Sequence, residues 1–373
     1  MVAKNIIVIN NEWAELKKME KPPTRRINGL KLLSALASIV IVIGGLKLAA
    51  DLLLPVILAF FLAVVSLPIL RTLRKRGLPR FPAVLLTVIV DIGILSPIVM
   101  IGLNLATEFQ DKFDYYNKGL VDRAAEFQEW TKQELNYEMK LEAEEVMQAV
   151  EVFFVGFLGG AAEFLKDFTF VLIILIFFLT EAGGFSRKMG AIKLARGPDL
   201  SRFAEAAKDI QKYLGIKTVI SGITGVLAGL ITWQLGLDFA LLWGMVAFSF
   251  NYIPAIGSII ASVPPTLLAL VDKTPGVACL VLLGFLAINM LLGNFIEPML
   301  LGRKFGIAVS MVVLSVVFWG WIWGLIGMFL AVPLTMLLKV ALDNSAEFRW
   351  LSVAMGKHDS AVAETDAYSS SDS

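Results

Sequence analysis

The chain has 373 residues, 57% hydrophobic and only 17% charged, with a formal net charge of +1 and a mean hydropathy of +0.75. Soluble domains carry nearer a quarter charged residues, and a soluble core of this size needs a larger polar shell, so the composition excludes a soluble globular protein. One cysteine (Cys279) rules out an intrachain disulfide, and one histidine (His358, in a polar tail) leaves no Cys/His zinc site and no Ser-His or Cys-His pair in the apolar segments.

Residues 1–31 form a basic N-terminus with seven Lys/Arg against three acids. Its one apolar patch, residues 6–9, is far too short for the apolar core of a secretory signal. Crossing a hydrocarbon layer of about 30 Å takes about 20 apolar residues of helix. Segments of that kind occur at 32–50, 52–70, 81–106, 152–180, 218–237, 239–271, 274–296 and 307–338. All are expected to be helices, because a backbone in lipid must satisfy its own hydrogen bonds. The expected fold is all-α: a polytopic membrane protein with about eight hydrophobic segments, two of them broken or re-entrant in the C-terminal half. Lys47 to Asp51 joins the first two segments closely enough to suggest a tight hairpin.

Loop charges set the expected orientation. The loop 71–80 carries five basic residues and no acid, and 187–217 carries eight basic residues against three acids. Residues 107–151, by contrast, carry twelve acids against five bases. Alternation therefore places 1–31, the 71–80 loop and 181–217 in the cytoplasm and 107–151 outside. The chain then divides into three membrane helices (32–106), an extracytoplasmic helical insert (107–151), a fourth membrane helix (152–180), a cytoplasmic amphipathic insert (181–217), a transport core (218–340) and a tail (341–373). In the external insert Phe113, Leu120 and Phe127 recur at helical spacing, with Tyr116 and Trp130 offset by three. In the cytoplasmic insert Leu200, Phe203, Ala207, Ile210 and Leu214 form a second stripe, read as a helix lying on the surface or coupling to the membrane part. The tail is small, polar and acidic from Gly356, and is expected to be mostly disordered and cytoplasmic.

Within 239–271, an uncharged run of 33 residues, stands NYIPAIG (Asn251 to Gly257). A straight helix of that length spans about 50 Å and overshoots the bilayer. Pro254 removes a donor and crowds the preceding turn, and Gly257 permits conformations that other residues avoid. A break there frees backbone groups, tolerable only inside protein or beside water, and broken helices are where transporters hold substrate. The last run, 307–338, repeats the device: Gly320, Gly324 and Gly327 offer hinges or close packing, and Pro333 is expected to end or bend the helix. Between the two lies GNFIEPMLLGRKFG, where Glu297 comes after 23 uncharged residues and precedes Pro298. Asn294 stands just before it, Gly302 just after, and Arg303 with Lys304 come close behind as candidate charge partners. An ionisable group at membrane depth is costly and so faces an interior or a wet cavity. Asp91, mid-way along the third helix, raises the same question. If 239–271 and 307–338 each span once, Arg303 and Lys304 fall outside; if both are re-entrant hairpins, those charges lie inside, which the charge rule favours.

The NYIPAIG break, the NFIEP run with its nearby glycine at 302, and the ending GWIWGLIGMFLAVPL resemble the autoinducer-2 exporter family of bacterial and archaeal membrane proteins, over roughly residues 30–345. That resemblance implies a multi-pass transporter of the bacterial cytoplasmic (inner) membrane, assembled as a homo-oligomer such as a pentamer. It also implies export of the quorum-sensing signal autoinducer-2 in some members and sodium or lithium/proton antiport in others.

Three functions of different class are compatible with these features. The first is a secondary transporter, exporting a small polar solute such as autoinducer-2, in which Asn251 and Asn294 offer amide groups to the solute. Glu297 would balance a cation or carry a proton there. The second is a cation/proton antiporter for a monovalent ion, with Asp91 and Glu297 as its carboxylates. The third is a non-transporting scaffold whose inserts bind partners. No Gly-rich phosphate loop or Walker lysine is present, so neither an enzyme nor an ATP-driven pump is expected. The expected partners are the lipid bilayer and the solute or ion, without nucleic acid, metal or cofactor.

Overall fold

The structure, a computed structural model, describes residues 29–134, 136, 143–182, 184, 201–301, 308–345 and 349–356. The tail beyond Gly356 and the pair Arg303 and Lys304, with Gly302, lie outside these residues. Every regular element among those described is helical. The chain divides into two compact units, 1–49 and 50–373. The first contributes α1 (Gly29–Leu48), whose residues Leu33, Ile39, Val40 and Ile41 stand exposed. All later elements belong to the second.

In that unit α2 (Ala50–Lys75) and α3 (Arg80–Asp111) are joined by the short basic turn. They pack with the later part of α5 (Ala143–Ala182), where Ala59, Ala63, Val84, Val88, Val171, Leu175 and Leu179 form a closed apolar core. α3 carries the chain away from the basic turn, and α4 (Phe113–Glu134) begins the acidic insert at its far end. The two ends of the molecule can thus be called basic and acidic.

α6 (Ser201–Gln234) is one uninterrupted helix of 34 residues, about 51 Å long. Of the amphipathic stripe, read as a helix lying on the surface or coupling to the membrane part, the described residues from Phe203 to Leu214 belong to the first half of α6. No proline interrupts that stretch, so the polar start continues directly into the apolar half. At the acidic end Phe109 of α3 meets Phe239 and Trp243, each at 5.7 Å between ring centroids, and so fixes the start of α7 (Ala240–Phe250). The chain runs inward to a turn at Asn251–Ile256 and returns as α8 (Gly257–Asp272). Its return to the acidic end is fixed by Val271, packed against Gly119 of α4. Asp238, before α7, meets the same insert: it accepts from the Tyr116 hydroxyl at 3.0 Å and pairs with Lys112 at 3.3 Å. Burial alone would raise the Asp238 carboxyl, but these two hydrogen bonds and the charges of Lys112 and Lys273 hold it below its ordinary value. The segment expected to be broken or re-entrant is therefore a hairpin open to the acidic end.

α9 (Pro275–Ile288) starts with Thr274 as cap, its hydroxyl accepting from the Val277 amide, and with proline at the first turn. It runs on as a π-helix, π1 (Asn289–Ile296), and α10 (Glu297–Leu301). The rod lies antiparallel to α6 and reaches about 39 Å from the acidic end.

α11 (Val309–Asp343) is long and apolar enough to cross a membrane, yet it is folded back on itself. Trp319 Nε1 donates to Thr335 Oγ1 at 3.1 Å, though sixteen residues of straight helix would separate them by about 24 Å. The reversal lies at Trp323 and Gly324, the latter with φ 61°, a left-handed conformation open to glycine. Both ends of this hairpin meet α12 (Arg349–Met355): the Ala308 amide donates to the Met355 carbonyl at 3.1 Å, and the Ser352 hydroxyl bonds Asp343. The second hairpin thus opens at the end opposite the first. Of the two expectations for Pro333, that it ends or bends the helix, the first does not hold: it sits buried inside the returning limb, which continues to Asp343, because the glycine turn has already made the reversal.

Candidate functional site

The two hairpins meet near their tips. Phe250 and Tyr252, at the first tip, face Phe329 in the second hairpin at 6.4 and 6.2 Å between centroids. Beside this junction runs one face of α6, on which Lys217, Ser221 and Thr224 recur at four and three residues and so line up along the helix. All three are buried.

Each member of that stripe faces a different partner element. Lys217 Nζ lies 2.7 Å from both carboxylate oxygens of Glu297, at the junction of π1 and α10. The side chains are 4% and 15% exposed, so the ion pair is interior and its open side belongs to the carboxylate. Ser221 accepts from Asn251 Nδ2 at 3.0 Å, which ties the first tip to α6. One turn away the Tyr252 hydroxyl donates to Thr218 at 2.8 Å, a second tie. Thr224 borders a cavity of about 10 Å³, shared with Ala247, Ser258, Phe285 and Asn289, and its hydroxyl has no partner. A buried hydroxyl left alone in such a space is a place for one water.

The local chemistry explains why the break and the π segment sit here. At the first tip Pro254 and Ala255 (φ 65°) turn the chain, and Gly257 stands where a side chain would collide with the Phe250 carbonyl. In the rod, Pro298 has no N–H and crowds the turn before it, a strain that a wider helical turn relieves. The Glu297 amide accordingly bonds the Leu292 carbonyl, five residues back.

Of the residues singled out in the sequence, Asn251 and Glu297 contact this stripe, Pro254 and Gly257 shape the tip that carries Asn251, and Pro298 follows Glu297 but is exposed. Gly320, Gly324, Gly327 and Pro333 all lie in the second hairpin, where the missing side chains of Gly320 and Gly327 let Met328 and Trp319 approach across the turn. Asn294 does not join the site; it stands exposed on π1. Asp91 is buried elsewhere, between α2 and α3, where it accepts from the Ser66 hydroxyl at 2.8 Å. Glu297 is held by Lys217; its candidate charge partners Arg303 and Lys304 lie outside the described residues. Sequence reasoning missed Lys217, Ser221, Thr224 and Asn289. The available signal was the four-then-three spacing of the first three within one helix.

A sequence model described as AI-2E family transporter matches residues 36–347. The AI-2 transport protein TqsA of Escherichia coli K12 is 32% identical over 338 residues, covering 89% of this chain and 97% of TqsA. A Haemophilus influenzae protein assigned to transport is 32% identical over 331 residues, covering 86% of this chain and 94% of its own. YhhT of Escherichia coli K12, likewise assigned to transport, is 30% identical over 347 residues, with 91% and 97% covered.

Proposed function

Because this chain belongs to the AI-2E transporter family, a family of multi-pass membrane proteins, we propose that it is a secondary transporter moving a small polar solute along the α6 stripe, between the two hairpins. The observation that carries this reading is the pair of hairpins opening at opposite ends and meeting at Phe250, Tyr252 and Phe329, beside the buried Lys217, Ser221 and Asn251 and the half-buried Glu297. Such an arrangement gives each end of the molecule its own gate to one interior site. A broken backbone is tolerable at that depth only where it lines a cavity or is buried in protein. Chemistry on the solute is not part of this reading. The absence of a nucleotide-binding motif leaves ion gradients or the solute's own gradient as the driving force.

TqsA is named for AI-2, so autoinducer-2 is the first solute to assay, with export as the direction and a homo-oligomer as the assembly. The cation/proton antiporter reading ranks second. Its two carboxylates are apart and already engaged, Glu297 by Lys217 and Asp91 by Ser66. The test is flux in vesicles reconstituted with the purified protein. Solute efflux above that of empty vesicles, lowered severalfold by Gly324→Val at the second turn, is the expected result. Failure of autoinducer-2 and a panel of small polar solutes to move would remove the transporter reading, and sodium-dependent pH changes without solute flux would put the antiporter first.

A further inference from the structure

We infer that Lys217 is the binding group for a carboxylate on the transported solute, and that Glu297 occupies its place until the solute arrives. This rests on the transporter reading and names a class of solute other than autoinducer-2, which carries no carboxylate. Between Lys217 and Leu301 the only charged residues are Asp238, Asp272, Lys273 and Glu297, and the first three stand at the acidic end, around the mouth of the first hairpin. Lys217 and Glu297 are therefore the only charges of this stretch at the depth of the hairpin tips. Neutral polar groups stand around them: Tyr213, whose hydroxyl feels the Glu297 charge, the Tyr252–Thr218 bond, and the Asn251–Ser221 bond.

The two partners differ in their freedom. Lys217 is 4% exposed in the middle of an unbroken helix, whereas Glu297 is the more exposed partner and sits where the π-helix gives way to a five-residue α-helix. A π turn holds one residue more than an α turn. Its conversion to α, made against the crowding by Pro298, would rotate α10 by about 100° and carry the carboxylate off the lysine. A buried ammonium left without its partner is strongly destabilised, so the departure of Glu297 requires another anion of similar shape. A solute carboxylate meets that need oxygen for oxygen. A cation does not, because it would have to displace the fixed, buried lysine.

The experiment is calorimetric titration of the purified full chain, in nanodiscs of neutral phosphatidylcholine, with sodium lactate, sodium phosphate, sodium chloride and glycerol. Glu297→Gln, which leaves Lys217 without its resident anion, is expected to bind lactate about tenfold more tightly than wild type. The double variant K217M/E297Q, which removes both charges, is expected to lose lactate binding while remaining folded. Lactate binding that persists in the double variant, equal affinity in wild type and E297Q, or chloride or phosphate binding as well as lactate would each overturn the inference. Glycerol binding in place of lactate would do the same. Transport of neutral solutes without carboxylate binding would leave the transporter reading intact and remove this one; carboxylate binding without flux of any solute would do the reverse.

Discussion

Lys217 and Glu297 are the residues on which the interior electrostatics turn, and their energetics are asymmetric. Two charges taken out of water and paired at 2.7 Å gain little over an apolar pair of the same shape, but one of them left alone is costly. Lys217→Met is therefore expected to lower stability by about 3–5 kcal/mol, while K217M/E297L recovers most of the loss. Thermal unfolding of the two variants in detergent checks this; additive losses would mean that the pair is not a closed interior unit. Half of the pair was legible in the sequence. Glu297 stands out as a lone carboxylate after 23 uncharged residues. Lys217 does not, because it is the last of eight basic residues in a stretch that charge counting assigns to a loop. Nothing in one sequence brings together side chains eighty residues apart. The Asn251–Ser221 bond was hidden for the same reason, although the asparagine itself was conspicuous.

Among the elements, the two hairpins differ in how openly the sequence declares them. NYIPAIG concentrates a proline, a glycine and an amide within a few residues, and the break falls there. In the last run Gly324 and Pro333 both stand out in the sequence, and it is the glycine that makes the turn. Proline is accommodated inside the limb at 333, whereas the left-handed φ at Gly324 is what reverses the chain. The π segment left no mark except Pro298, whose effect falls on the turn preceding it. The folded-back form of α11 has a direct consequence. Gly320 and Met328 lie against one another across the turn, with the place of a Gly320 Cβ 2.7 Å from Met328 Cγ. In a straight helix the same two positions are about 12 Å apart, beyond the reach of a disulfide. With Cys279→Ser as background, Gly320→Cys with Met328→Cys is expected to form an intramolecular disulfide under mild oxidation, detected by mass spectrometry. A doubly labelled, uncrosslinked product would show a straight span.

At the scale of the whole molecule, the decisive feature is that the hairpins open at opposite ends. The first is fixed at the acidic end by the α3–α4 aromatic cluster and by Asp238 with Lys112 and Tyr116. The second is fixed at the other end by α12, after the rod 275–301 has carried the chain across. The loop-charge rule predicts which end is which: five basic residues without an acid at 71–80 argue for the cytoplasm, and twelve acids at 107–151 argue for the outside. Gly276 comes just after the first hairpin and is exposed, and an added side chain there would touch only Thr274 Oγ1, at 3.7 Å. Asn344 is exposed at the mouth of the second hairpin. In a Cys279→Ser background, Gly276→Cys in intact cells is expected to react with a membrane-impermeant maleimide, and Asn344→Cys only after permeabilisation. Had both runs crossed the membrane once each, Gly276 would lie across the membrane from residue 238 while Asn344 kept its side, so both cysteines would be shielded in intact cells. The labelling pattern thus separates opposed hairpins from ordinary spans without reference to any solute. If Gly276→Cys stays unlabelled until the membrane is opened, the two-gated interior site falls with it.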